Sequence, residues 1–419
     1  MKQTKPSYRV RPETAVLTSG FDPQLSVGAA RPPVYRSSTY VFHSPEAAER
    51  AFETVLGRAP ASSDGGADLI YARLNHPNAQ IAEDHLVPLE RGADAAAVFN
   101  SGMAAIVTVL LGFLERGGSM VYTRPLYGGT QHLIHQIIEP LGFVAHAVPA
   151  GDNRAMRAAV EQAESLQLIL IETPANPTLT MSDIRFAADC CAARDPRPVL
   201  AVDNTLLGPT FQHPLLHGAD LVIYSATKFL GGFSDLLAGA VLARDPRLIQ
   251  HLRGMRALLG NILQADESWI LDSRLSTVAL RMNRQSKNAQ RIAERLARHP
   301  KIRRVLYPSL FEDADQIRIR DAQAEFPGSL LSIEIDGGKA AAFDFLRNLR
   351  IGRNAVSLGG VETLVSHPRT TTHSELSAEE LDAAGISDSL VRISVGTEHW
   401  SDLLNDFTNA LAAADRGRE

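Results

Sequence analysis

A lysine and an aspartate, each at the end of an apolar run and each beside hydroxyl side chains, are the residues whose types and spacing carry chemistry. Lys228 stands in Tyr224-Ser225-Ala226-Thr227-Lys228-Phe229-Leu230-Gly231-Gly232, and Asp203 precedes it in Ala201-Val202-Asp203-Asn204-Thr205. Pyridoxal phosphate chemistry needs such a pair. A lysine amine must form the imine with the cofactor aldehyde, and a carboxylate must keep the pyridine nitrogen protonated so that the ring accepts electrons. Ser225 and Thr227 flank the lysine with hydroxyls suited to the cofactor phosphate. Taken singly, Asp203 reads as a loop cap and Lys228 as a solvated lysine; together with the hydroxyls they favour the cofactor reading.

Three further groups belong with that pair. Ser101-Gly102-Met103 opens a helix after a short strand, and unsatisfied amides at a helix N-terminus attract a phosphate, although such turns are common. Tyr127, in Leu126-Tyr127-Gly128-Gly129-Thr130, can stack on a pyridine ring and assist proton transfer, or can be a packed core tyrosine. Arg392, in Leu390-Val391-Arg392-Ile393-Ser394, is a charge inside an apolar strand. It requires an anion, which is either a substrate α-carboxylate or an internal Asp or Glu.

Apolar runs must position these residues. Strands are expected at Ala95 to Phe99, Ser119 to Tyr122, Phe143 to Val148, Gln167 to Glu172, Val199 to Asp203, Asp220 to Tyr224 and Leu237 to Ala243, alternating with helices. That pattern predicts a mostly parallel α/β sheet with ligands at the carboxyl ends of its strands. An irregular arm is expected over 1–65, because Arg31-Pro32-Pro33 excludes helix and Ala59 to Asp68 reads as a loop. A cofactor-binding domain follows over 66–270, and a smaller α+β domain over 271–419. A long helical stretch from Pro246 to His299 links the two, with strands at Gly328 to Ile335 and Leu390 to Val395 and helices near Lys339 to Leu349 and Trp400 to Ala413.

The 419 residues carry a net charge of -5 with 45% hydrophobic and 21% charged residues, and no long basic run suggests nucleic acid. The uncharged segment Ala95 to Leu114 is long enough to span a membrane, but Asn100-Ser101-Gly102 breaks it with turn chemistry. The two cysteines, Cys190 and Cys191, are adjacent, which suits neither a disulfide nor a metal, and Met1 to Thr14 lacks the apolar core of a secretory signal. A cytoplasmic protein is expected.

The chain resembles the Cys/Met-metabolism enzymes dependent on pyridoxal phosphate, a family that includes cystathionine γ-synthase, cystathionine and methionine γ-lyases, cystathionine β-lyase and the O-acylhomoserine sulfhydrylases. Besides the segments above, the motifs are Tyr71-Ala72-Arg73-Leu74-Asn75-His76-Pro77-Asn78, Glu172-Thr173-Pro174-Ala175-Asn176-Pro177 and Ser357-Leu358-Gly359-Gly360-Val361-Glu362. The resemblance implies an aminotransferase-like (fold type I) subunit in a homotetramer built from two dimers. It implies that Lys228 carries the cofactor, Asp203 pairs with its ring nitrogen and Tyr127 stacks on it. Ser101, Gly102, Met103, Ser225, Thr227 and Thr205 then bind the cofactor, with Asn176 near its phenolic oxygen. Tyr71 and Arg73 reach the neighbouring subunit's phosphate. Arg392 and Ser357 hold the substrate carboxylate, and Asn176 and Glu362 complete the substrate site.

Several departures bear on the reaction. Phe233 replaces a usual histidine after the lysine segment, which alters the hydrogen bonding of that loop. Gly129 stands where methionine γ-lyases place cysteine, and Leu358 where bacterial β-lyases tend to have tryptophan. Arg369 and Asn354 replace a small and an aliphatic residue, and either contacts an unusual substrate side chain or lies in solvent. The resemblance implies γ-elimination or γ-replacement on a homoserine-derived or sulfur-containing amino acid. The alternatives are a β-lyase acting on cystathionine or cysteine, a cofactor-bound protein with a binding or regulatory role, and a nucleotide-binding α/β protein. The last lacks a Gly-rich fingerprint.

Overall fold

The computed structural model describes residues 10–18, 20–59 and 69–413. Its larger sheet contains β1 (Ala95–Phe99), β2 (Ser119–Arg124), β3 (Val144–Pro149), β4 (Leu166–Glu172), β5 (Val199–Asp203), β6 (Leu221–Tyr224) and β7 (Gly239–Ala243), in the order β1-β7-β6-β5-β4-β2-β3. β7 pairs antiparallel with both β1 and β6, so the other six strands share one direction. Both faces are buried. In β4, Leu168 and Leu170 pack into one core while Ile169 and Ile171 pack into the other, which is why the strand reads as an unbroken apolar run rather than an alternating one. Each such side chain contributes about 1.5–3 kcal/mol by leaving water. Phe99, Arg124, Glu172, Asp203 and Tyr224 end their strands along one edge, and the polar loops leave the sheet there.

The second, smaller sheet contains β8 (Ile302–Leu306), β9 (Leu330–Ile335), β10 (Arg353–Asn354), β11 (Leu364–Ser366) and β12 (Leu390–Ser394), in the order β10-β11-β12-β9-β8. Helices Gly338–Asn348 and Trp400–Ala413 pack with it around Phe345 and Phe407. The expected long helical stretch is three helices, Pro246–Leu259, Ala265–Leu275 and Val278–Leu296. Gly260 ends the first at φ 76, a left-handed position that glycine adopts without steric cost.

The arm is less irregular than expected. Pro45–Val55 is a helix with Ser44 capping the Ala47 amide and proline in its first turn, and Pro12–Thr18 is another. The stretch around Arg31 to Tyr35 is extended, as its prolines require. It packs against the same chain, where Trp269 donates to the Pro32 carbonyl at 2.7 Å and the Asn78 side chain accepts from Tyr35 N. The loop expected at Ala59 to Asp68 lies outside the described residues beyond Ala59. No described helix is long and apolar enough to cross a membrane.

Candidate active site

Ten of the expected residues line one cavity of about 170 Å³ at the strand-end edge: Ser101, Gly102, Met103, Tyr127, Asn176, Asp203, Thr205, Ser225, Thr227 and Lys228. Ile106, Glu172, Leu206, Leu237 and Leu358 complete its wall. Helix Gly102–Phe113 begins at the cavity because Ser101 caps it, its hydroxyl accepting from Ala104 N at 3.0 Å. The amides of the first turn therefore face the cavity with the positive end of the helix dipole. Gly102 is required sterically: a Cβ there would lie 2.8 Å from the Ser225 side chain. Its absence lets two phosphate-binding segments, the helix start and the serine before the lysine, meet.

The lysine turn is folded by its own backbone. Lys228 N donates to Ser225 O at 3.0 Å and Thr227 N to Ala238 O at 3.0 Å. The Thr227 hydroxyl donates to Ala238 O and accepts from Ala238 N, so it stitches the turn to the strand that returns beneath it. Lys228 Nζ donates to Ser357 Oγ at 2.9 Å. Ser357 adopts φ 87, a costly conformation for a residue with a side chain. Burial, and then the Arg392 charge, pull the Lys228 amine down to about 8, towards the neutral form that attacks a carbonyl.

Asp203 ends β5, and its carboxylate accepts from the amide and hydroxyl of Thr205 at 3.0 and 2.6 Å. Glu172 ends the neighbouring strand β4 in register with it. Burial pushes the Asp203 carboxyl up against the lowering effect of the Thr205 bonds. Burial, and then Asp203, push Glu172 up to about 8. A buried and a half-buried carboxyl side by side, with no ion-pair partner for either among the described residues, form a site suited to a cationic ring nitrogen. Together with the helix terminus, Ser225 and the lysine amine, they fit pyridoxal phosphate.

Arg392 lies in β12, 2% exposed, with no acidic partner among the described residues. Its Nη1 donates to Asn176 Oδ1 at 3.0 Å and its Nη2 to Ser357 O at 2.7 Å, and Nε has no partner. Burial pulls the guanidinium down to about 10, so it remains charged at neutral pH. Of the two explanations open for Arg392, no internal acid partner is found among the described residues.

The remaining expected residues fall elsewhere. Tyr71 is 43% exposed. Arg73 lines a separate cleft of about 1040 Å³ formed with Gly254 to Leu258, and its guanidinium donates to Ala257 O at 2.7 Å. The Glu362 carboxylate accepts from the Ser234 hydroxyl and does not line the Lys228 cavity. Arg369 is not a solvated loop arginine. It pairs with Asp382 and Asp388 at 2.6 and 3.0 Å and donates to Ile386 O, pinning the loop that follows β11. Asn354 is exposed on edge strand β10. The Phe233 ring lies 4.2 Å from the Arg274 guanidinium and 5.5 Å from that of Arg281, which donates to Phe229 O and Leu230 O. The lysine loop is thus held by stacked arginines.

Sequence reasoning assigned no role to Glu172 or His373. An acid ending the apolar run of β4 is the same signal that marked Asp203. His373 is fully buried in a loop of the smaller domain; burial, and then the Arg392 charge, hold its imidazole down to about 4 and therefore neutral.

A family model described as Cys/Met metabolism PLP-dependent enzyme matches residues 13–412. The chain is 37% identical over 404 residues to cystathionine gamma-synthase of Escherichia coli, covering 96% of this chain and 98% of that protein. It is 36% identical over 401 residues to L-methionine gamma-lyase of Pseudomonas deceptionensis, covering 96% and 97%. Among solved structures, cystathionine gamma synthase from Xanthomonas oryzae pv. oryzae, in complex with aminoacrylate and cysteine, superposes with a TM-score of 0.88 at 33% identity over 98% of this chain and 100% of that one.

Proposed function

Because the chain belongs to the Cys/Met-metabolism family of pyridoxal phosphate-dependent enzymes, we propose that it performs γ-elimination or γ-replacement on a homoserine-derived or sulfur-containing amino acid. The observation that carries the reading is the buried, acid-free Arg392 joined to Lys228 through one residue: Ser357 accepts from the amine on its hydroxyl and from the guanidinium on its carbonyl. A group bound at Lys228 is thereby presented next to a carboxylate site, which is what an α-amino acid requires. The cofactor, when bound, supplies the electron sink that makes the substrate's Cα–H and Cβ–H acidic. Lys228, with its lowered pKa, moves the protons at those two carbons, and Tyr127, above the cavity, assists the group leaving Cγ. A Cβ at Gly129 would lie 2.7 Å from the Tyr127 ring, so the absence of a side chain there gives that ring its room.

The cross-subunit role of Tyr71 and Arg73 is part of the same proposal. Both lie outside the Lys228 cavity of their own chain, as expected of residues that serve the phosphate of a second subunit in a dimer of dimers. A cytoplasmic setting is supported by Cys190 and Cys191, which are buried and unpaired. A substrate panel of O-acylhomoserine, homocysteine, cystathionine and cysteine, with pyruvate, 2-oxobutyrate and replacement products detected separately, tests the assignment. Dominant 2-oxobutyrate or Cγ-substituted products support it. Pyruvate from cystathionine or cysteine would make the protein a β-lyase, and no turnover of any amino acid would make it a binding protein.

A further inference from the structure

Glu172 is 5% exposed, and each of its two carboxylate oxygens accepts a backbone N–H from a different loop: Oε2 from Tyr127 at 2.7 Å and Oε1 from Asn176 at 2.8 Å. The first of those loops follows β2 and carries the exposed aromatic ring at the cavity mouth. The second follows β4 and carries the amide that holds Arg392, since Asn176 Oδ1 accepts from Arg392 Nη1. One side chain therefore joins the ring-bearing loop to the guanidinium. Both acceptors on Arg392, Asn176 Oδ1 and Ser357 O, are neutral. They orient the guanidinium without spending its charge, and its buried Nε has no partner among the described residues.

We propose that Glu172 is a positioning residue that sets the Arg392 fork against the Tyr127 ring, and so determines how strongly the site selects ligands bearing an α-carboxylate. The inference rests on the reading of Arg392 as the carboxylate site. A carboxylate suits the task because both its oxygens accept, and a cationic cofactor ring beside Asp203 would favour that ionised form. A glutamine of the same shape keeps one acceptor and turns an NH₂ towards the other N–H, leaving two donors facing each other in a buried place. The buried position beside Asp203 is costly for an acid and would be filled more cheaply by an apolar side chain if packing were the only requirement.

The test uses the holoenzyme and two probes that lack a leaving group, L-alanine and its decarboxylated counterpart ethylamine, with binding read from the cofactor absorbance. The ratio of the two dissociation constants measures carboxylate selection and is insensitive to a general loosening of the site. In wild type the ratio favours alanine, and in Arg392→Met that preference is lost. In Glu172→Gln the preference falls by about tenfold, the equivalent of one buried hydrogen bond to a charged group, with ethylamine binding, cofactor colour and the fold retained. An unchanged ratio in Glu172→Gln, alongside a lost one in Arg392→Met, overturns this inference alone. An unchanged ratio in Arg392→Met overturns the carboxylate reading beneath it. Loss of colour or of the fold in Glu172→Gln makes Glu172 a structural residue and also overturns the proposal.

Discussion

The Lys228 amine is drawn down to about 8 by burial and then by Arg392, and replacing Arg392 with methionine removes the second cause while keeping most of the side-chain volume. At pH 7 an amine of pKa 8 is about one-tenth neutral, whereas an unperturbed lysine is neutral at roughly three parts in ten thousand, a difference on the order of 300-fold. Only the neutral amine captures an aldehyde. The rate at which the cofactor-free protein takes up pyridoxal phosphate should therefore rise tenfold per pH unit below about 8 and level off above it. In Arg392→Met the midpoint moves to higher pH, and each unit of movement slows capture at pH 7 by about tenfold, or 1.4 kcal/mol. The assay mixes stripped protein with pyridoxal phosphate from pH 6 to 10 at constant ionic strength and follows the cofactor absorbance. A simple alkylamine in the same buffers corrects for the cofactor's own titration. A wild-type midpoint at the ordinary lysine value, or one that does not move in Arg392→Met, would refute the electrostatic account of Lys228.

Three other outcomes follow from the geometry. In the cofactor-free protein Glu172 has a raised pKa, so the stability it contributes below about 4.5 is lost as pH rises towards 8. Lys228 has a lowered one, so the stability it contributes above about 10.5 is lost as pH falls towards 8. Melting temperature should pass through a minimum near pH 8, and Glu172→Gln should flatten its acidic limb in thermal scans. Gly102→Ala places a methyl 2.8 Å from Ser225; equilibrium binding of pyridoxal phosphate should weaken, by about 1–3 kcal/mol of overpacking strain, more than the fold is destabilised. Mixed dimers of inactive Arg73→Ala and Lys228→Ala chains should regain activity, because one hybrid site holds both wild-type residues; no recovery in verified mixed dimers would place both residues in one site of one chain.

The residues that carry the chemistry were legible because they interrupt apolar runs. Asp203 ends Val199–Asp203, Ser225 follows Leu221–Tyr224 and Arg392 lies inside Leu390–Ser394, and a polar group beside a buried strand has to be accounted for. The same logic reached Glu172 but assigned it nothing, because its partners are backbone amides 45 and 4 residues away that no pattern of side chains announces. Strand Ile302–Leu306 was missed because it is an edge strand carrying exposed Arg303 and Arg304, and β10 and β11 are too short to show a period. Helix Ala314–Gln323 has charged residues around most of its circumference, with only Ile319 and Gln323 buried, so no apolar stripe reveals it. The arginines stacked on Phe233 come from helices some 40 residues on, and the acids paired with Arg369 from the later helix Ala378–Ala383 and the loop after it. Only the folded chain brings either set together.

Bond cleavage at Cγ requires deprotonation at Cβ after Cα, and cleavage at Cβ does not. The most direct measurement is therefore turnover of an O-acylhomoserine in heavy water, with the keto acid and the recovered amino acid examined by NMR and mass spectrometry. The account predicts 2-oxobutyrate or a Cγ-substituted amino acid, with deuterium at Cβ as well as Cα, and loss of both exchanges in Lys228→Ala. No turnover of the homoserine ester, together with pyruvate from cystathionine and no deuterium at Cβ of recovered substrate, would contradict it.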